Sequence, residues 1–364
     1  MDAGDIQVNV IDDIDYECLA KDWQALQLCA DHRFFLSWYW IKSWLHSFPI
    51  NPVLLKATLN NKVVGLALFC KNNEKKLRFF KTDCLILQES GEPDYDQQWI
   101  EYNQFLLDKE HRQICFNAII DELVRLHGWD EFHIGVVESS TVAQMQDALK
   151  LPYLIKWQTR AHWIDLNEIR DKHDNFIASL SRNARSQIRR SIKLYEKQSP
   201  IKIHHADNLD NALALFDELA PLHIKRWGSG YQQSGFANPL FVNFHKNLIS
   251  DCFDKGRIDI IKISTQEAPI AYFYNFIYQN RVYFYLSALT YSSDNKLKPG
   301  LVGHALCIQH YLDKGLELYD LMGGGEDYKD RLSTYHDDYY RVAFQRPRII
   351  TKVESLLKRI KNAL

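Results

Sequence analysis

The chain has 364 residues, 46% hydrophobic and 25% charged, with 44 Lys and Arg against 46 Asp and Glu for a formal net charge of −2. That length predicts two domains of about 150–200 residues, and the composition excludes fibrous and wholly disordered classes. The balanced charge excludes a molecule tuned as a whole to DNA or to an anionic membrane, so any anion site has to be local.

In chain order, helical patterns at 16–30 and 38–46 come first, followed by strand-like runs "PVLLKATL", "KVVGLALFC" and "KLRFFKTDCLIL". Asn60-Asn61 and the polar "KNNEKK" are expected to make the hairpin turns between them. A polar loop, "QESGEPDYDQQ", leads to a helix at 114–127, the strand "EFHIGVV", a short helix at 142–149 and a strand ending in "AHWIDL". The second half repeats the order. Helices at 208–227 and 239–255 precede the strands "RIDIIKIS", "APIAYFYNFIYQN" and "RVYFYLSAL". A loop, "TYSSDNKLKPG", then opens a helix at 301–314, with Gly315 as its C-cap. The strand "LELYDLM", three glycines, a short polar helix and the strand "DYYRVAFQ" complete it. The shared order implies two copies of one α/β unit. The expected division is an N-terminal unit at 1–170, a basic connecting helical segment at 171–199, a second unit at 200–346 and a C-terminal helix at 347–364.

The seven cysteines are scattered and lack a C-x-x-C, so they are expected to be reduced and mostly buried, without a metal site. His204 and His205 are adjacent and would face opposite sides of a strand, which gives no metal spacing. The acidic N-terminus has no signal-peptide pattern and no apolar run approaches the ~20 residues of a membrane span, so the cytoplasm is the expected compartment.

Two places concentrate chemistry. Pro299-Gly300 stands just before a helix, so the N–H groups of Gly300, Leu301, Val302 and Gly303 would suit a diphosphate, with Lys296 or Lys298 adding charge. The bland alternative is a plain Pro-Gly helix start. "YDLMGGGEDYKDRL" (319–332) sets three of only 15 glycines beside Asp320, Glu326, Tyr328 and Lys329. Three glycines in a row are costly to order, which favours a close backbone approach over a linker.

The segments "HIKRWGSGYQQSGF", "APIAYFY", "VYFYLSAL", "KPGLVGHA" and "YDLMGGGEDYKDR", in that order, resemble the tandem-GNAT proteins of the cellulose-biosynthesis-associated (CelD-like) type, which are similar in fold to the Fem peptidyltransferases. The resemblance covers 182 to about 344; the first half matches mainly in element order. It implies an α/β fold of two tandem GNAT-like units, each a mixed, mostly antiparallel sheet flanked by helices. It also implies N-acyl transfer from acyl-CoA, acetyl-CoA foremost, to an amine of a small-molecule, sugar or peptide acceptor by direct attack, with no metal. In such a site a strand N–H near Ser287 or Ala288 polarises the thioester carbonyl. The lip at Gly323, Gly324 and Gly325 passes close to donor and acceptor. Asp320 or Glu326 takes the amine proton, Tyr328 returns one to the thiolate, and Lys329 stabilises charge. Asp320 is equally readable as a capping acid. The chain reads "KLKPGLVGHA" where the GNAT phosphate loop has Q/R-x-x-G-x-G/A, so aminoacyl-tRNA stays a rival donor and a non-catalytic binding protein a rival of another class.

"SLSRNARSQIRRSIKLYEK" (179–197) pairs an apolar stripe with Arg182, Arg185, Arg189, Arg190, Lys193 and Lys197, either a solvated face or an anion clamp. Arg226, Trp227, Tyr231 and Phe236 fall where such a fold shapes its acceptor pocket, with seam packing as the alternative for Trp227 and Phe236. His223 and His304 are spare bases. A C-terminal helix, with apolar residues at 353, 356, 357 and 360, is expected to dock on the second unit.

Overall fold

The structure is a computed structural model that describes residues 6–76, 80–197, 199–230, 233–325 and 327–347. Glu326, Tyr231 and the C-terminal helix at 351–364 therefore lie outside the described residues. The first elements are β1 (Gln7–Ile11), α1 (Tyr16–Gln27), α2 (Trp38–Ser47), β2 (Val53–Leu59), β3 (Lys62–Lys76), β4 (Phe80–Leu87) and β5 (Leu106–Leu107). Next come α3 (Arg112–Arg125), β6 (Glu131–Glu138), α4 (Ser139–Leu149), β7 (Tyr153–Asp165), α5 (Leu166–Lys172), α6 (Phe176–Ser179) and α7 (Arg182–Glu196). Then follow β8 (Lys202–His205), α8 (Leu209–Trp227), α9 (Pro239–Cys252), β9 (Ile258–Ser264), β10 (Pro269–Tyr278) and β11 (Arg281–Leu289). The last are α10 (Pro299–Asp313), β12 (Leu318–Gly323), α11 (Asp327–Leu332) and β13 (Tyr335–Gln345). "KNNEKK", expected as a turn, is instead the end of β3 and pairs with β4 through Lys71↔Leu85 to Lys76↔Phe80.

The chain forms two compact units: one runs to Gln158 and resumes at Asp338, the other is Thr159–Asp337. Unit 1 thus takes its last strand from beyond the end of unit 2's stretch of sequence, and unit 2 begins inside β7. Tyr339–Gln345 of β13 pairs with β6 in unit 1, and Ala161–Asp165 of β7 pairs with β12 in unit 2. The expected boundaries followed chain order, whereas strand partners are chosen by long-range packing that local periodicity does not encode. The segment 171–199, expected as a connection, sends Phe176, Leu180, Ala184, Ile188 and Tyr195 into the core of unit 2.

In unit 1 the sheet runs β1, β2, β3, β4, β6, β13, antiparallel throughout except for β4 beside β6. One face buries Leu55, Phe69, Phe132 and Phe344 against α3 and α4. α1 is amphipathic because Leu19, Trp23 and Leu26 recur every three to four residues, and Asp15 caps its first turn by accepting from the N–H groups of Glu17 and Cys18.

β4 and β6 stay paired only from Cys84↔Glu131 to Ile86↔His133. Where they part, the chain at 100–103 fills the gap. Val136 N–H donates to Ile100 O (3.5 Å) and Asn103 N–H to Val136 O (3.3 Å). The Asn103 side chain donates to Leu87 O at 2.7 Å and Gly135 O at 3.2 Å, joining both strands. Ile100 and Asn103 have no exposed surface. Beside them Glu89 is buried against Arg341 at 2.7 Å; burial pushes its carboxyl up while the guanidinium pulls against that shift. Segment 88–98 was readable as a polar loop, but not this plug, because an Asn and an Ile buried together carry no periodic signal.

Unit 2 has the order β7, β12, β11, β10, β9, β8, again with a single parallel pair, β11 beside β12. Alternate strand residues serve opposite faces. Phe273, Phe284, Tyr319 and Leu321 join the core formed with α5, α6, α7 and α10. Tyr274 and Tyr285 meet His245 of α9, and Tyr274 packs on Phe216 of α8.

Candidate active site

β11 and β12 pair only over Arg281↔Leu318, Val282↔Tyr319 and Tyr283↔Asp320. Beyond that, β11 stays with β10 as far as Leu289↔Ala271, while β12 stays with β7 as far as Gly323↔Ala161. A V-shaped notch opens between them, and among the described residues no strand closes it. Each strand carries a register shift near the point of divergence, leaving Tyr285 extra in β11 and Leu321 extra in β12, and such bulges bend the strand that holds them. From the vertex at Tyr283 to Leu289 the free edge of β11 is six residues, roughly 20 Å. Ser287, half-buried, and Ala288, buried, lie on this edge.

α10 starts at the open end. A Cβ built on Gly300 would stand 3.2 Å from Leu289 Cδ1, so the first turn of α10 lies against the end of β11. Lys298 is the N-cap residue, and its N–H donates to Ser191 Oγ of α7 at 2.9 Å. Pro299 has no N–H, and Val302 N–H already donates to Lys298 O at 3.0 Å. The outward donors are therefore Gly300 and Leu301 alone; Val302 and Gly303, also expected there, sit inside the helical ladder. Gly303 serves packing instead, since a Cβ there would stand 2.5 Å from the buried Phe273 ring. Gly303→Ala is expected to cost about 1–3 kcal/mol by overpacking, measured as a lower urea midpoint of unfolding.

The triglycine lip lies across the notch. Counting from Tyr283↔Asp320, Gly323 is level with Leu286, roughly 10 Å along β11 from the residue that touches Gly300. Met322 has φ +58° and Gly324 φ +142°, both in the region that L side chains avoid. Asp320 Oδ1 accepts the Met322 N–H at 2.7 Å, so the capping reading of Asp320 describes one of its oxygens. Gly324 N–H donates to Arg160 O (3.1 Å) and Thr159 Oγ1 (3.0 Å). Lys329 is 4% exposed, and its Nζ donates to Gly323 O at 2.6 Å. The lysine thus acts on the lip from beneath.

His304 forms the floor. It packs on Phe273 and Phe284 and stacks on Tyr328 at 5.0 Å with an interplanar angle of 25°. Burial, aided by the Lys329 charge, pulls its imidazole down to about 3, so it is neutral near pH 7. Its Nδ1 has no hydrogen-bond partner among the described residues. His223 bonds Ser234 Oγ at 2.8 Å and is pulled down to about 4 by burial.

On the other face, Arg226 lies over the rings of Trp227 and Tyr291, at 5.5 and 5.3 Å from their centroids. Trp227 is 49% and Tyr291 58% exposed, so this clamp faces solvent. Phe236 is separate from it, buried among Phe216, His223 and Phe241; for this residue packing is the observed role. Sequence reasoning missed Tyr291, for which an isolated loop tyrosine gives no signal. It also missed Tyr285, whose hydroxyl meets the buried His245 Nε2 at 3.0 Å.

α7 lies beside the start of α10 through the Ser191 contact. Arg182, Arg189, Arg190, Lys193 and Lys197 are exposed and, with Arg185, border an open recess of about 780 Å³. Among the described residues none of the six forms an ion pair.

Residues 182–330 match the family model described as an acetyltransferase (GNAT) domain. In fold, the chain is similar to the crystal structure of FemX, with a TM-score of 0.59 and 11% identity over 92% of this chain and 98% of that one. It is similar also to the C-terminal domain of a putative lysylphosphatidylglycerol synthetase from Agrobacterium fabrum (0.55, 7%, 94% and 95%). L-PGS from Bacillus licheniformis is a third (0.53, 8%, 94% and 97%). No curated protein is matched by the chain. The fold class expected from the sequence, two tandem GNAT-like α/β units with mostly antiparallel mixed sheets, is the one observed. Among the described residues no helix is long and apolar enough to cross a membrane.

Proposed function

We propose that the protein is an N-acyltransferase, similar to the CelD-like tandem-GNAT type, that moves an acyl group from acyl-CoA to an amine in the notch of unit 2. The observation that carries this reading is the contrast between units. The same parallel-strand divergence occurs in both; in unit 1 residues 100–103 hydrogen-bond into it, and in unit 2, among the described residues, no strand pairs with that edge of β11.

The Gly300 and Leu301 amides and the positive end of α10 would receive the diphosphate, with the basic face of α7 alongside. The pantetheine arm would lie along β11, with a backbone N–H near Ser287 or Ala288 polarising the thioester carbonyl. The amine attacks that carbonyl, its nitrogen loses a proton to Asp320 or Glu326, and the C–S bond breaks as the thiolate takes a proton from Tyr328. Lys329 holds the Gly323 carbonyl and so fixes the lip, including Gly324, against which the acceptor would be seated. Arg226, Trp227 and Tyr291, with Tyr231 and Arg189 as further contacts, would recognise an acceptor carrying an anionic or ring-shaped group. The six cations of α7 favour one second reading, in which the donor's carrier is an aminoacyl-tRNA rather than CoA.

Calorimetric titration with acetyl-CoA and with longer acyl-CoAs tests the proposal. One site per chain is expected, weakened at least about tenfold by Gly300→Asp, which sets a carboxylate at the helix start. Absence of thioester binding overturns the acyl-CoA reading, and retention of charged tRNA under the same conditions would install the second one.

A further inference from the structure

Unit 1 brings four metal-ligating side chains together on one sheet face. Cys84 of β4 stands opposite Glu131 of β6. His133, two residues past Glu131, shares its face. Asn72 of β3 stands opposite Cys84, which puts Glu74, two residues on, on that face as well. One donor atom from each of Glu74, Cys84, Glu131 and His133 lies within 4.8 Å of the other three.

Glu131 is fully buried, a costly place for a carboxylate without strong partners. Its Oε1 accepts from Gln345 Nε2 at 2.6 Å, while Oε2 lies 3.0 Å from His133 Nε2. Lys156 Nζ approaches Glu74 Oε2 at 3.1 Å and Glu131 Oε2 at 4.0 Å. One oxygen is pinned from behind, and the other is turned into the cluster.

We propose that Glu74, Cys84, Glu131 and His133 hold one structural zinc ion, with Gln345 as the residue that positions Glu131. A thiolate, an imidazole and two carboxylates form a donor set that suits zinc, which takes four protein ligands when its role is structural. Bonds of about 2.0–2.3 Å set tetrahedral ligands roughly 3.3–3.8 Å apart, so the cluster closes by about 1 Å on binding. The charges balance: two carboxylates and one thiolate against the ion and the Lys156 ammonium. The Cys84 proton leaves to solvent as the Zn–S bond forms. Binding therefore releases a proton and tightens as pH rises. The ion would tie β3, β4 and β6 together at the short parallel junction, next to where the strands part.

The test is titration of the full chain, stripped with a chelator, with Zn²⁺ and with Co²⁺. The expected result is one equivalent bound, a thiolate-to-cobalt charge-transfer band with strong tetrahedral visible bands, and a Tm that climbs with zinc. Cys84→Ser is expected to remove the charge-transfer band and Cys18→Ser, at the exposed thiol, to leave it unchanged. Gln345→Ala is expected to weaken binding about 10–100-fold with unchanged far-ultraviolet dichroism. If wild type shows no thiolate band, or if the band survives Cys84→Ser, the cluster is an ion-pair network around Lys156 and the proposal is overturned. The wild-type spectrum decides the matter even if Cys84→Ser does not fold.

Discussion

Lys329→Met is expected to lower the turnover of acyl transfer by roughly 100–1000-fold, the usual loss when one preorganised electrostatic group is removed from a reacting site, with donor affinity changed only a fewfold. Methionine keeps the unbranched stem and its packing, so the substitution isolates the ammonium. That ammonium is buried and donates to Gly323 O at 2.6 Å and towards Met322 O at 3.5 Å. Without it, a kinked strand end with two positive-φ residues loses its charge-assisted tether, and the lip no longer holds one position. Loss of the bond is also expected to cost about 1–3 kcal/mol of stability, read from a urea titration. The kinetic signature separates the roles: a lip held in place for chemistry predicts a fall in kcat with KM for the donor preserved. Full turnover in Lys329→Met, with the variant folded, would remove this residue from the mechanism.

Unit 2 is expected to lose stability steeply in mild acid, from below pH 6.5. His304 titrates at about 3 in the folded protein against 6.5 for an ordinary imidazole, and burial is the main cause. His223 is pulled down to about 4 by burial, and His245, fully enclosed, is shifted the same way. The direction follows from proton binding. Between pH 6.5 and the folded-state value the unfolded chain takes up protons that the folded chain refuses, so stability is complete above 6.5 and falls as pH drops. At about 1.4 kcal/mol per unit, His304 alone accounts for up to roughly 5 kcal/mol by pH 3. Urea titrations at stepped pH values measure the slope, and His304→Phe is expected to flatten it. A wild-type stability independent of pH between 7 and 4.5 would contradict the burial of these rings as neutral groups.

Much of this architecture could be read from the chain. A hairpin announced itself at Asn60-Asn61, where both residues adopt positive φ, and Gly315 stops α10 with φ +79°; Gln279-Asn280, included in a strand on sequence, makes a turn with positive φ at both residues. The start of α10 was legible because Pro-Gly is local chemistry. Its inner face was not, because whether Gly303 meets a phosphate or Phe273 depends on how the helix is rotated against the sheet. The opening strands β1 and β8 are short and have no buried residue, so they escaped a periodicity reading. Lys329 and the glycines stood out as a group, yet their relation, with ammonium clamping carbonyl, depends on the bulge at Leu321. Cys84, Glu131 and His133 drew no attention because cross-strand register brings them together and their spacing along the chain does not.

The late arrival of unit 1's last strand has a consequence for how the chain matures on the ribosome. The edge of β6 waits, unpaired, until residues 339–345 have been synthesised, some two hundred residues after β6 itself, and an open edge invites wrong partners. Cutting the gene near residue 170 would deliver one fragment without its outermost strand and another without the strip that flanks β12. A split protein would require those two strips to be traded back, one to each half.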